Sequence, residues 1–302
     1  VTASSSDTGV VAAGGISLGG TGASRTITLT PVADASGSTT ITVTVDDGTT
    51  TTDDTFVLTV NAQNDAPTIS DISNQSTNED TATSAIGFTI GDVETAAGSL
   101  TVTASSSDTG VVAASGISLG GTGASRTITL TPVADASGST TITVTVDDGT
   151  TTTDDTFVLT VSAQNDAPTI SDISNQITNE DTATSAIAFT IGDVETAAGS
   201  LTVTASSSDT GVVAAGGISL GGTGASRTIT LTPVADASGS TTITVTVDDG
   251  TTTTDDTFVL TVNAQNDAPT ISDISNQSTN EDTATSAIGF TIGDVETAAG
   301  SL

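Results

Sequence analysis

Carboxylates, side-chain amides and hydroxyls are the abundant functional groups of this sequence. It contains 36 Asp and Glu against 3 Arg and Lys, and its formal net charge is −33. It contains no His and no Cys, which excludes Ser-His-Asp and Cys-His catalytic sites, zinc and copper sites, and disulfides. The remaining oxygen atoms are ligands for hard cations. The composition therefore predicts Ca²⁺ as the first candidate cofactor.

The negative charge also limits the partners. A chain with no Lys and this many carboxylates repels phosphate backbones and anionic lipid surfaces, so we expect no nucleic acid partner. No apolar run approaches the roughly 18 residues of a membrane-spanning helix, so we expect no membrane span in this segment. The expected partners are further copies of the same repeat, in cis and in trans as a filament.

An internal repeat organises the sequence. The stretch "NAQNDAPTISDISNQSTNED" at 61–80 recurs, almost unchanged, at 162–181 and 263–282, a spacing of 101 residues. A period near 100 residues matches the size of one small domain. The predicted division is a partial repeat at 1–65, complete repeats at 66–165 and 167–266, and a second partial repeat at 267–302.

Alternation of apolar and polar residues predicts the elements that must position the acidic groups. A period of two is typical of half-buried strands, and it marks about seven segments per repeat, the number in an immunoglobulin-like sandwich. In the repeat 66–165 the predicted strands are 68–72, 83–90, 100–105, 117–119, 126–131, 141–146 and 156–161. The predicted inward side chains are Ile86, Phe88, Ile90, Leu100, Val102, Ile128, Leu130, Ile142, Val144, Val146, Phe157, Leu159 and Val161.

Four loops carry most of the acidic residues, and a Greek-key sandwich sorts these loops to its two ends. Stacked domains therefore bring both sets of loops to the linker "AQNDAP", where Ca²⁺ would offset their repulsion. The predicted ligands at the junction of 66–165 and 167–266 are Glu79, Asp80, Asp135, Gln164, Asn165, Asp166, Asp193 and Glu195. The equivalent residues of the flanking junctions are Asn64, Asp65, Asp92, Glu94, Glu180, Asp181, Asp236, Asn266, Asp267, Asp294 and Glu296.

The linker "QNDAPT", the following "NED" and "DVE", and the ending "TITVTVDDG…DTFVLTVNAQND" resemble the bacterial cadherin-like and immunoglobulin-like tandem repeats of very large surface proteins. The resemblance covers every repeat and implies all-β, seven-stranded Greek-key sandwiches in a linear rod with Ca²⁺ between domains. Glu79, Asp135, Asn165-Asp166 and Asp193-Val194-Glu195 occupy the positions of the family's ligands. The loop at 132–139 has one acidic residue, and Glu195 replaces an Asp, so the resemblance implies fewer or weaker ions.

Other interpretations stay open for several motifs. The junction carboxylates could instead form a solvated acidic surface with ordinary Asx turns. For Asp147-Asp148 and Asp154-Asp155 a hairpin turn is the favoured interpretation. The "GGTG" at 120–123 predicts a turn between strands because no helix or Lys follows it. Arg126 is predicted to pair with a neighbouring Asp.

The resemblance implies the shaft of an extracellular bacterial fibre or giant adhesin on the cell surface. We expect no enzyme, because no cleft-forming insertion or aromatic sugar subsite accompanies the carboxylate pairs. The alternatives are a filament subunit joined head to tail by strand complementation and a ligand-binding adhesion module. Residues 1–65 lack the first two strands of a repeat, and 267–302 hold only those two. Two explanations stay open for these partial repeats, a window on a longer fibre and subunits that complete each other.

Overall fold

The structure is a computed structural model that describes residues 1–302. It is built from β-strands and short 3₁₀ turns, which confirms the predicted all-β class of tandem sandwiches. The chain forms two compact units, Val1–Gln164 and Asn165–Leu302. No helix in the structure has the length and apolarity that a membrane crossing by a helix requires.

The first unit begins with a partial sandwich. Its strands are β1 (Thr2–Ser5), β2 (Ile16–Thr21), β3 (Ser24–Leu29), β4 (Gly37–Asp46) and β5 (Thr51–Val60). They form a three-stranded sheet in the order β1-β4-β5 and a separate β2-β3 hairpin. The Thr-rich alternation of β4 and β5 favours strands because branched side chains fit a pleated surface.

A complete sandwich follows in the same unit. Its strands are β6 (Thr68–Ile69), β7 (Gln75–Asn78), β8 (Ile86–Gly91), β9 (Thr101–Ser106), β10 (Ile117–Thr122), β11 (Ser125–Leu130), β12 (Gly138–Asp147) and β13 (Thr152–Ser162). One sheet has the order β10-β11-β8-β6 and the other β7-β13-β12-β9. The sequence prediction missed β7, which pairs in parallel with β13.

The core of this sandwich lies between the two sheets. Most of the predicted inward side chains are buried, whereas Ile86 and Val102 are only partly buried at its margin. The prediction missed Ile72, Val111 and Val112, which are also buried. Val111 and Val112 lie in a turn where both N–H groups donate to the Asp108 carbonyl, so no strand alternation marks them.

The second unit repeats this arrangement. Its strands are β14 (Thr169–Ile170), β15 (Gln176–Asn179), β16 (Ile187–Gly192), β17 (Thr202–Ser207), β18 (Ile218–Thr223), β19 (Ser226–Leu231), β20 (Gly239–Asp248), β21 (Thr253–Asn263), β22 (Thr270–Ile271) and β23 (Ile292–Gly293). The sheets have the orders β14-β16-β19-β18 and β15-β21-β20-β17, with β22 paired to β23. The strand β15 pairs in parallel with β21. The predicted boundaries between repeats stay a prediction.

Two smaller motifs can be compared with their predictions. The turn prediction for "GGTG" holds only for Gly123, which lies between β10 and β11, because Gly120, Gly121 and Thr122 form the end of β10. Gly121 adopts a φ of 82° in that strand, and a Cβ there would lie 2.4 Å from the Ser125 carbonyl oxygen, so the end of the strand needs glycine. The prediction for Arg126 is wrong, because its guanidinium donates to the backbone carbonyls of Gly123 and Ala97 at 2.9 and 3.1 Å. Arg126 thereby links the β10–β11 hairpin to the loop that contains Ala97.

Candidate metal centre

Five carboxylates meet at one end of the sandwich in the second unit. The oxygen atoms of Glu180, Asp267 and Glu296 lie within 4.8 Å of one another. A second group, Asp181 and Asp236 with the same Asp267, meets the same limit. Two oxygens on opposite sides of one Ca²⁺, at about 2.4 Å each, are about 4.8 Å apart. The spacing therefore suits oxygens that share an ion, and we call these five residues the acidic cluster.

Strand pairing fixes Glu180. It directly follows β15, and its N–H donates to the Asn263 carbonyl at the end of β21 at 3.0 Å. Its side chain is only 4% exposed, and its Oε1 accepts a hydrogen bond from the N–H of Gln265. A carboxylate this buried requires compensating donors or a cation. The linker N–H supplies one donor, so Glu180 ties the linker to the sandwich.

Two turns present Asp181 and Asp236. Both residues adopt left-handed backbone conformations, with φ of 56° and 58°. Non-glycine residues rarely adopt this conformation, and Asp tolerates it better than most. The Asp236 N–H donates to Asp181 Oδ1 at 3.3 Å, which holds the two turns together.

Asp267 is the residue that both groups share. Its N–H donates to Glu296 Oε2 at 3.1 Å, and its Oδ2 is buried with no hydrogen-bond partner. Burial, followed by repulsion from Glu296 and Asp236 and the rest of the cluster, raises its pKa. A buried carboxylate oxygen without a donor, among four other carboxylates, fits a cation.

Glu296 is positioned by its own loop. Asp294 Oδ1 accepts hydrogen bonds from the N–H groups of Glu296 and Thr297 at 3.1 and 2.6 Å, so this loop is an Asx turn. Asp92 and Asp193 form the same turn in the earlier repeats, and each has a buried Oδ2 with no hydrogen-bond partner. The Asx turn suggested as the alternative to a metal role is therefore present, and it aims the Glu two residues later at the linker.

The first unit contains part of the same arrangement. Asp65 donates its N–H to Glu94 Oε2 at 3.1 Å, as Asp267 does to Glu296. Asp34 corresponds to Asp236 and has the same left-handed backbone, with φ of 59°. A cavity of about 270 Å³ opens beside these three residues and is lined by Asp34, Ala35, Ser36, Val60, Asn61, Ala62, Gln63, Asp65 and Glu94. It lies where Glu180 and Asp181 lie in the complete sandwich.

The Asn of each linker has a role that the sequence did not predict. Asn165 Nδ2 donates to Asp249 Oδ2 at 2.9 Å and to Thr252 Oγ1 at 3.2 Å, in the hairpin between β20 and β21. Asn64 makes the same contacts with Asp148 and its hairpin. These contacts fasten the start of a sandwich to its last hairpin. The motif "DDG" signalled the turn but not this partner.

The linker contacts also affect acidity in the hairpin. The N–H of Thr252 and the amide of Asn165 lower the pKa of Asp249, because they donate hydrogen bonds to its charged form. Asp148 has a lowered pKa for the same reasons. The hairpin-turn interpretation agrees with this geometry for Asp148 and its equivalent Asp249, since each accepts hydrogen bonds from backbone N–H groups of its own turn. It is wrong for Asp154 and Asp155, which lie in β13, where Asp155 Oδ2 accepts from the N–H of Ile72 at 3.0 Å.

The remaining predicted ligands are distributed over the two units. Glu79 is 4% exposed and accepts from the N–H of Gln164, and the Asp135 N–H donates to Asp80 Oδ1. These four residues belong to the first unit. Asn165, Asp166, Asp193 and Glu195 belong to the second, where the Asp166 N–H donates to Glu195 Oε2 at 3.0 Å. The side chains of Gln164 and Asn266 donate to nearby linker carbonyls. That the eight residues share ions stays a prediction.

Comparison with known proteins assigns the fold. The model of the bacterial Ig domain matches residues 64–162 and again 165–263. The chain belongs to the bacterial Ig domain family. Domains of this family are typically extracellular or on the cell surface. The chain matches no curated protein sequence.

Several solved structures are similar to this bacterial Ig domain chain. The cadherin fragment PcdhgB3 EC1-4 is 16% identical, with a TM-score of 0.46, over 87% of this chain and 67% of that one. An I-band fragment of titin is 11% identical, with a TM-score of 0.40, over 83% of both chains. The endo-fucoidan hydrolase MfFcnA4 is 18% identical, with a TM-score of 0.31, and this chain covers 39% of its length.

Proposed function

We propose that this chain is a spacer in the shaft of an extracellular bacterial fibre or giant adhesin, stiffened by Ca²⁺ at its domain junctions, and that it is not an enzyme. Tandem bacterial Ig domains support the spacer role, since the family is typical of surface proteins. Near-identical repeats suit a spacer, because each repeat adds the same length to the chain of domains.

The acidic cluster carries the calcium part of the proposal. Glu180, Asp181, Asp236, Asp267 and Glu296 would hold the ion, whose charge would neutralise their repulsion. Glu180 and Asp236 belong to the complete sandwich, Asp267 to the linker and Glu296 to the segment after it. Ligands drawn from three places would couple the sandwich, the linker and the next segment when an ion binds.

The calcium proposal depends most on the buried Oδ2 of Asp267, which has no hydrogen-bond partner. Asp267 is also the residue that both carboxylate groups share. A solvated acidic surface would leave such an oxygen exposed to water. The cluster offers only oxygen ligands, and the sequence contains no His, Cys or Met to bind a metal through nitrogen or sulfur. Such a ligand set favours Ca²⁺ over transition metals. Extracellular calcium modules bind with dissociation constants of about 10⁻⁴–10⁻³ M, and we expect this range.

Calorimetric titration of the chain with Ca²⁺ tests the metal, and small-angle X-ray scattering with and without EDTA tests the stiffening. We expect saturable binding and a broader distribution of interdomain distances in EDTA, while circular dichroism keeps its β-sheet signal. Mg²⁺ is the matched control, because it prefers smaller, octahedral sites that retain water. An absence of Ca²⁺ binding, or scattering curves that EDTA leaves unchanged, would reject calcium stiffening.

A further inference from the structure

A three-residue motif at the start of β7 has no part in the proposed spacer function. Asn74-Gln75-Ser76 has the form Asn-X-Ser, which is the acceptor sequence for sugars linked to asparagine. The third copy has the same motif at Asn276-Gln277-Ser278, whereas the second copy has Asn175-Gln176-Ile177. The chain therefore contains two intact acceptor motifs and one in which the hydroxyl is missing.

The fold uses only one half of the Asn74 amide. The residue is exposed, and its Oδ1 accepts a hydrogen bond from the N–H of Val158 in β13 at 2.8 Å. Its Nδ2 makes no hydrogen bond. A sugar on Nδ2 replaces one of the two N–H bonds of the amide and leaves Oδ1 able to accept. Attachment of a sugar is therefore compatible with the folded structure.

The fold does not explain the hydroxyl of Ser76. Ser76 lies opposite Thr160 in the parallel pair of β7 and β13, where its side chain is exposed and its Oγ makes no hydrogen bond. The equivalent Ile177 is 72% exposed and lies opposite Thr261 in the same register. Because Ile is accepted at this position, neither strand pairing nor packing requires the hydroxyl. Recognition by an enzyme that attaches a sugar does require it.

The second repeat contains a matched site without the hydroxyl. Asn175 Oδ1 accepts from the N–H of Val259 at 2.8 Å, as Asn74 Oδ1 does from Val158. The two asparagines therefore have the same geometry. They differ in the residue two positions later, which is Ile177 in place of Ser76.

We propose that Asn74, and Asn276 in the third copy, are sites of N-linked glycosylation, and that Asn175 is not. The donor is a sugar joined through a diphosphate to a nucleotide or a lipid, and a transferase catalyses the step. Nδ2 bonds to C1 of the sugar while the bond from C1 to the diphosphate oxygen breaks. The diphosphate leaves with the electron pair, and Nδ2 gives one proton to a base of the transferase. A sugar on an exposed Asn suits a family that is typically extracellular or on the cell surface.

The position of Asn74 gives the sugar a role. The strand β7 is at the edge of its sheet, in the order β7-β13-β12-β9, and Asn74 directly precedes it. An edge strand presents unpaired backbone groups that can pair with another chain. A bulky, solvated sugar at the start of this edge obstructs such pairing. We therefore assign the sugar to protection of the edge against aggregation.

Mass spectrometry of the protein isolated from the cells that produce it tests the site. Trypsin cleaves after Arg25, Arg126 and Arg227, so Asn74 and Asn175 lie on separate peptides. We expect an added sugar on the peptide 26–126 and none on the peptide 127–227. A single sugar indicates a nucleotide-linked donor, and a preformed oligosaccharide indicates a lipid-linked donor. An unmodified peptide 26–126 would overturn the proposal.

Exchange of the one differing residue tests the role of the hydroxyl. Ser76→Ile, made in the same cells, should abolish the sugar at Asn74, and Ile177→Ser should create one at Asn175. Ser76→Thr is the control and should keep the sugar, because Thr retains the hydroxyl. Both positions are exposed, so each variant should keep the circular dichroism of the wild type. A sugar that persists in Ser76→Ile, or none in Ile177→Ser, would overturn the role of the hydroxyl.

Aggregation tests the role of the sugar itself. Ser76→Ala from the producing cells should lack the sugar at Asn74 and should form an aggregated fraction at least about twofold larger than the wild type, measured by light scattering. The same two chains made by cell-free synthesis carry no sugar and should aggregate equally. Equal aggregation of the chains from cells would reject protection of the edge and leave the glycosylation site in place.

Discussion

Residues 1–65 and 203–267 have identical sequences, yet the structure places them in two settings. In the second setting β15 and β16 cover the sheets, and the aspartate at the end joins a group of five carboxylates. In the first setting no such strands are present, Phe56 and Val45 are exposed, and Asp65 has two carboxylates near it. The comparison teaches that the core and the metal site both depend on the strands that cover this sequence.

The largest expected difference concerns the core. Phe258→Ala should destabilise its sandwich by about 3–5 kcal/mol, because the side chain is 2% exposed and its loss leaves a cavity. Phe56→Ala, at the identical position, should cost less than about 1 kcal/mol, since the ring is already 40% exposed. Hydrogen exchange of the chain 1–302 measures both losses. Equal losses of stability from Phe258→Ala and Phe56→Ala would show that the two phenylalanines are equally buried, which contradicts the structure.

The next difference concerns metal binding by the chain 1–302. Asp267→Asn should weaken calorimetric Ca²⁺ binding roughly tenfold or more, because both carboxylate groups contain Asp267. Asp65→Asn is the matched control and should leave the titration unchanged, because its site lacks the equivalents of Glu180 and Asp181. A similar loss of Ca²⁺ affinity in both variants would show that three carboxylates are enough to bind the ion.

The pKa of Asp267 provides a third test. Because the pKa of Asp267 is raised on folding, there is a pH range between the unfolded and the folded pKa. In that range the Asp267 carboxyl is protonated in the folded chain and ionised in the unfolded chain. Its contribution to stability is therefore present below the unfolded pKa and is lost as the pH rises through the folded one. Ca²⁺ should restore stability at neutral pH and should bind more weakly as the pH falls through the raised pKa. Asp267→Asn should reduce the pH dependence of melting in EDTA.

A smaller difference separates Asp47 from Asp249. Backbone donors lower the pKa of both, but only Asp249 also accepts from a linker amide, that of Asn165. Asn165→Ala should raise the Asp249 pKa toward that of Asp47, measured by NMR titration. The stability from this contact exists above the unfolded pKa and is lost as the pH falls through the folded one.

The smallest expected effect is at Ile177, on the outer face of β15. It is 72% exposed, so Ile177→Ser, which restores the residue of the other repeats, should change stability by less than about 0.5 kcal/mol. Ca²⁺ affinity should also stay the same. Chemical denaturation beside calorimetry measures both quantities. A larger loss would mean that Ile177 packs against another surface.

Much of this arrangement could be predicted from the sequence, and the exceptions have physical causes. The alternation of "TITVTV" and "TFVLTV" predicted the central strands, because each has one buried face. The strand β7 escaped notice, since "QSTN" contains no apolar residue and lies at the edge of its sheet, where it pairs with β13. The loop order of a Greek-key sandwich predicted that carboxylates gather at the linkers, and that they share ions stays a prediction. It could not predict that the linker amide of Asn165 fastens the hairpin at Asp249, because that contact joins residues 84 apart.

The parallel pairing of the first edge strand with the last strand has a mechanical consequence. In the complete sandwich of the first unit, Gln75–Asn78 runs alongside Leu159–Ser162 in the same direction. A pull on the two ends of the domain therefore slides these strands past each other along their length. All four paired residues share the load at once, whereas an antiparallel pair pulled from one end would open one bond at a time. If the domain were stretched, the strand that carries no core residue would therefore bear the load in shear.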